Sequence, residues 1–137
     1  MAAFSVERAL RLPVRLHGIQ LGHAVDLLLD ADEWRALGFD VRCGDEVNRF
    51  LPVAAARVRD DEIGAGSALM LLEDIGFYRT HGRSVRALLG EPLAGAGTLR
   101  DVVVEPGGAV AELVLEEDGN ARRVALVDGT IPQRDAA

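Results

Sequence analysis

The stretch SVERALRLPV at residues 5–14 returns as SVRALLGEPL at residues 84–93, an offset of 79. Serine, valine and proline recur identically, and Leu10 falls on Leu89. Further along, GHAVD at residues 22–26, followed by LLLD, meets GTLRD at residues 97–101, followed by VVVE, at an offset of 75. The four residues lost between the blocks fall where RLHGIQ contracts to AGA, as a shortened hairpin loop would. A third block, RFLPV at residues 49–53, meets RVALV at residues 123–127 at an offset of 74. Three blocks in one order with two small gaps describe an internal duplication, and a repeat of this kind decides the architecture before any single element does.

Each copy reads as short strands joined by turns. In the first, residues 21–30 and 35–42 are strand-length apolar runs around ADEW, and Leu37, Phe39 and Val41 alternate with Gly38, Asp40 and Arg42. That period of two belongs to a half-buried strand. Residues 48–53 and 62–69 are weaker strands on either side of the polar turn Arg59-Asp-Asp61. In the second copy, residues 99–105, the turn Pro106-Gly-Gly108 and residues 110–116 predict a hairpin, followed by the turn at 117–120 and a strand at 122–127. Ser5 and Ser84 stand as N-caps of helices of one or two turns that stop at the proline. Between the copies, Leu69, Leu72, Ile75 and Phe77 predict a short connecting helix with an apolar side. The expected class is mainly all-β: two tandem small barrels, residues 1–69 and 83–137, joined by a short helix or loop at 70–82.

These residues resemble the PRC-barrel domain family, found in the cytoplasmic part of the photosynthetic reaction centre H subunit and at the C-terminal end of the ribosome maturation factor. The resemblance is carried by FSVERALRLPV, LGHAVDLLLD, RALGFDV, RFLPVAAARV and DDEIGAGSAL over residues 4–69, and again from SVRALLGEPL through RRVALVDGTI over 84–131. Strand order, spacing and duplication carry it together; no single motif is diagnostic. The resemblance implies two small β-barrels in tandem. It transfers neither relative's function, because neither a membrane anchor nor the maturation factor's N-terminal domain is found in the sequence.

Composition narrows the chemistry. All 15 basic residues are arginine, so Schiff-base and P-loop lysine chemistry are excluded. The net charge of −7 splits as −3 over residues 1–70 and −4 over 71–137, an unpolarised acidity that argues against a nucleic-acid partner. A single cysteine, no apolar run of spanning length and no signal-peptide pattern lead to the expectation of a cytoplasmic protein without membrane insertion.

The candidate residues are few. His17 and His23 flank a hairpin with Asp26 close by, a combination that can bind zinc or iron. No HExxH or paired CxxC accompanies them, and Thr98 replaces His23 in the second copy, so neither a metal site nor a cofactor is expected. Asp26 and Asp101 recur at matching positions and read as carboxylates that accept backbone or arginine hydrogen bonds, with the recurring Arg49 and Arg123 as expected partners. Cys43 beside Arg42 has no histidine nearby in sequence and reads as a non-catalytic thiol. The glycines of GAGSA and LAGAG form no phosphate loop and read as barrel bends where a side chain would collide. The acidic clusters at 60–62 and 116–118 lack calcium-loop spacing and read as solvated turns. Trp34, in the polar turn ADEWR, either packs over its own barrel's open end or marks a partner surface; Phe77 and Tyr78 form a second contact patch. With no catalytic constellation, the expected function is a non-enzymatic protein–protein interaction or adaptor module. Its partner is an unknown protein or a second copy covering exposed strand edges. The alternative is a small-molecule or ion-binding protein using the cleft between the repeats.

Overall fold

Each repeat opens where a serine ends a strand and starts a helix, and in both the hydroxyl accepts a backbone N–H of the first turn: Ser5 from Arg8 at 3.3 Å, Ser84 from Ala87 at 3.0 Å. The structure, a computed structural model, describes residues 2–93 and 95–131. Residues 132–137, assigned above to the second repeat, and Ala94 of LAGAG lie outside the described residues.

The first half runs β1 (Phe4–Ser5), α1 (Val6–Ala9), β2 (Pro13–Leu16), β3 (Ile19–Asp30), β4 (Ala36–Cys43), β5 (Asn48–Pro52), β6 (Ala56–Val58) and β7 (Ile63–Ala65). After a 3-10 turn at Ala68–Met70 come α2 (Ile75–His81), β8 (Gly82–Ser84), α3 (Val85–Leu88), β9 (Pro92–Leu93), β10 (Gly97–Val104), β11 (Val110–Glu117) and β12 (Asn120–Ala125). The fold is mainly β with few helices, as expected, and its strands form two curled half-barrel sheets. One has the order β5-β4-β3-β2-β7-β6 with β8 also on β3; the other has β1-β10-β11-β12 with β9 also on β10. The turns follow their sequences. His17-Gly18 joins β2 to β3, and Asp118-Gly119 joins β11 to β12, each pair at positive φ, as a two-residue turn matched to strand twist requires.

Both sheets contain strands from both repeats. β1 opens the first repeat yet pairs antiparallel with β10, Phe4 opposite Val104; β8 opens the second yet pairs with β3, Leu28 opposite Ser84. The repeats thus exchange their leading strands. A further seam joins the β3–β4 turn to the β10–β11 turn, where Ala36 N donates to Gly108 O at 2.7 Å and Val110 N to Trp34 O at 3.2 Å. The Phe4 and Phe39 rings lie 5.9 Å apart across the junction. Buried Val6, Leu27, Phe39, Leu51 and Ile63 form one contiguous core with Val85, Leu99, Val102, Leu113 and Leu115. Halves this short bury too little apolar surface singly, and pooling the core is the physical remedy.

Several local expectations need correction. The connecting helix is confined to α2. Leu69 belongs to the 3-10 turn, and Leu72 is extended because its N–H and C=O both bond Phe50, at 2.7 and 2.8 Å. No common helical face of Leu69, Leu72, Ile75 and Phe77 exists. Residues 62–69 supply only the three-residue β7, while β2 and β6 are additional strands. Among the glycines of GAGSA and LAGAG, Gly64, Gly66 and Gly95 have room for a Cβ; at Gly97 a Cβ would fall 2.7 Å from Glu116 O. The tightest approaches lie elsewhere. A Cβ at Gly22 would sit 2.1 Å from Arg42 O, and one at Gly38 would sit 2.3 Å from Leu51 O, which explains glycine in those two strand interiors.

Candidate functional site

Asp26 and Asp101 each follow a β-bulge at the same place in their strands: pairing skips Val25 between Ala24 and Asp26, and Arg100 between Leu99 and Asp101. The bulge turns each carboxylate toward the helix cap that the other repeat contributes. Asp26 accepts from the Ser84 hydroxyl, from Arg86 N at 3.0 Å and from Leu27 N at 2.8 Å. Asp101 accepts from the Ser5 hydroxyl, from Glu7 N at 2.9 Å and from Val102 N at 2.8 Å. Two reciprocal latches therefore tie each exchanged strand to its host sheet. The expected arginine partners are corrected by this geometry: Arg49 forms a two-pronged pair with Asp45 at 2.8 and 2.9 Å, and Arg123 pairs with Glu112. Sequence comparison of the copies held the signal, since Ser and Asp recur together, but nothing local says that they meet across the repeats.

Trp34 is half-buried against the core, with the Arg83 guanidinium 4.8 Å from its ring centroid. Arg83 also donates to Asp30 O and Glu33 O, each at 2.9 Å, so Trp34 sits in the seam between repeats beneath a fixed arginine. The Asp30 carboxylate accepts the N–H groups of Asp32 and Glu33, which closes the turn and lowers its pKa.

Tyr78 and Phe77 part company. Tyr78 stacks on buried Phe50 at 3.7 Å between centroids, while Phe77 is 58% exposed and lies against His81. The next residue, Arg79, reaches the buried Asp40 carboxylate with two nitrogens at 2.7 and 2.9 Å, and Asn48 donates to its other oxygen at 2.8 Å. These contacts dock α2 on β4 and β5. They leave large apolar side chains exposed: Leu69 at 88% exposure, Met70, Phe77 and, on the β4–β5 turn, Val47. Leu69 also lines a groove of about 740 Å³ shared with Leu21, Cys43, Asp45, Arg49 and Leu72. At its edge the Arg49 pair, with help from Val47 N, holds the Asp45 carboxyl at about 2. Cys43 itself is buried. Sequence placed Leu69 on the apolar side of a connecting helix and did not single out Met70, because an apolar residue in a helical pattern reads as core.

His17 occupies the exposed β2–β3 turn and His23 an exposed position in β3 opposite Pro13 and Arg42. Among the described residues they and Asp26 form no metal-ligating group. Nor is any described helix long and apolar enough to cross a membrane. Where the repeats meet, a pocket lined by Phe4, Val53, Val58 and Pro106 has a volume of about 10 Å³, about that of one water probe. No protein-family model matches the sequence, and no curated protein matches it.

Proposed function

We propose that the protein is a non-enzymatic interaction module, two PRC-barrel-like repeats presenting a contact face to another protein in the cytoplasm. The observation that carries this reading is the exposure of Leu69, Met70 and Phe77 on the segment between the repeats, whose helix α2 is docked through Tyr78 and Arg79. Large apolar side chains left exposed near one another in the chain are a mark of protein-contact surfaces. Against catalysis stands the state of the two serine–aspartate pairs. Each hydroxyl already donates to a carboxylate and accepts a helix N–H, and each carboxylate accepts backbone N–H groups, which is cap chemistry. The small volume at the repeat junction disfavours a ligand held there.

The test is affinity purification from the native cell with mass spectrometry, comparing the wild-type protein with Leu69→Ser/Phe77→Ser. The expected result is a defined partner retained by the wild type and lost by the double variant, with thermal stability preserved. A prey set identical for both proteins would refute Leu69 and Phe77 as contact residues.

A further inference from the structure

On a protein of net charge −7, one groove runs the other way. It holds about 290 Å³ and is lined by Arg15, Arg57, Arg59 and His17, with Glu62 as its acidic member, over the Gly64–Gly66 backbone. The sheet register builds it. Arg15 of β2 and Arg57 of β6 both pair with Gly64 of β7, so three adjacent strands place arginine, glycine and arginine in one row. Register partners project to the same face, and two strand spacings separate the arginine backbones by roughly 10 Å. Gly64 leaves the middle of the row without a side chain: a Cβ there would lie 3.8 Å from Arg57 Cβ and 3.9 Å from a Glu62 carboxylate oxygen. Arg59, two residues beyond Arg57, extends the positive wall.

These charges are poorly satisfied within the chain. Arg15 approaches Glu62 at 3.9 Å, beyond hydrogen-bond distance, and among the described residues Arg57 and Arg59 have neither an ion pair nor a side-chain hydrogen bond. The acidic residues Asp60 and Asp61 of the adjoining turn do not line the groove. Most arginines elsewhere are engaged, among them Arg49 with Asp45, Arg79 with Asp40, Arg100 with Glu116 and Arg123 with Glu112, and among the described residues outside the groove the exceptions are Arg8 and Arg86.

We infer that this groove binds a phosphate monoester group of a small metabolite, held between Arg15, Arg57 and Arg59 over Gly64. Guanidinium forks match tetrahedral oxyanions, and three arginines against one glutamate leave two positive charges, which a phosphate dianion neutralises and a carboxylate does not. Glu62 is the internal competitor that such an anion displaces. The site lies on the first repeat and shares no lining residue with the groove beside Leu69, so it stands independently of the interaction reading. The test is a titration of the whole protein with methyl phosphate at constant ionic strength, read by amide chemical shifts, with acetate in parallel. Saturable shifts confined to residues around Arg15, Arg57 and Gly64 are expected, with acetate binding far more weakly. Arg57→Ala should weaken binding about ten-fold or more, Glu62→Gln should tighten it, and Arg86→Ala, which removes an equal charge elsewhere, should leave it unchanged. Non-saturating shifts, equal effects of acetate, or equal losses in Arg57→Ala and Arg86→Ala would overturn the assignment.

Discussion

Replacing Asp26 with alanine removes the acceptor of one latch and tests whether the exchanged strand is held by it. Three donors lose their partner: the Ser84 hydroxyl, Arg86 N and Leu27 N. Bonds to a carboxylate are stronger than neutral ones, but this site is only partly buried, so each is worth about 1 kcal/mol and the set about 3 kcal/mol. With an unfolding entropy near 2.1 cal/mol/K per residue, 137 residues give roughly 0.29 kcal/mol/K, and the loss becomes a fall in Tm of about 10 °C. Calorimetry and chemical denaturation followed by circular dichroism read this directly. A double-mutant cycle with Ser84→Ala isolates the contact between repeats, with an expected coupling of about 1 kcal/mol. Hydrogen exchange should show faster opening of β8 and α3 before the rest of the sheet. A Tm within about 1 °C of wild type, or strictly additive single variants, would refute the latch.

The symmetric copy predicts that Asp101→Ala loosens β1 and α1 by a similar amount, measured as hydrogen exchange at residues 4–9. Arg79→Ala leaves the Asp40 carboxylate, 4% exposed, with Asn48 alone. Since Arg79 is half-exposed, the expected loss is about 2 kcal/mol, below the range for fully buried pairs, with protection lost over α2; unchanged exchange there would count against the docking. Gly38→Ala forces a methyl within 2.3 Å of Leu51 O and 2.6 Å of the Phe50 ring, and should cost about 3 kcal/mol by urea unfolding. The Asp45 carboxyl, held at about 2 by Arg49 against an ordinary 3.8, should titrate late by NMR and move back toward the ordinary value in Arg49→Ala. Because its folded pKa is depressed, whatever this pair adds to stability is complete above the ordinary carboxylate value and disappears as the pH drops through about 2.

The sequence alone determined what depends on near neighbours along the chain. Alternating apolar residues marked β4, the Pro106-Gly-Gly108 turn marked the β10–β11 hairpin, and serine before a short apolar run marked α1 and α3; all of these appear where they were read. The duplication was legible too, because the two copies keep the same residues at bends and caps. Boundaries failed where a distant partner sets the conformation. Leu72 is extended only because Phe50 offers it two backbone hydrogen bonds, and that shortened a helix whose local pattern was consistent with more. The exchange of β1 and β8 between sheets belongs entirely to tertiary structure. Within either repeat, Ser5 and Asp26 or Ser84 and Asp101 are the natural pairs, and the crossed pairs, 96 and 58 residues apart, carry the same chemistry. What selects the crossed arrangement is burial: it draws two short halves over one core, and no stretch of sequence shorter than the whole chain contains that sum.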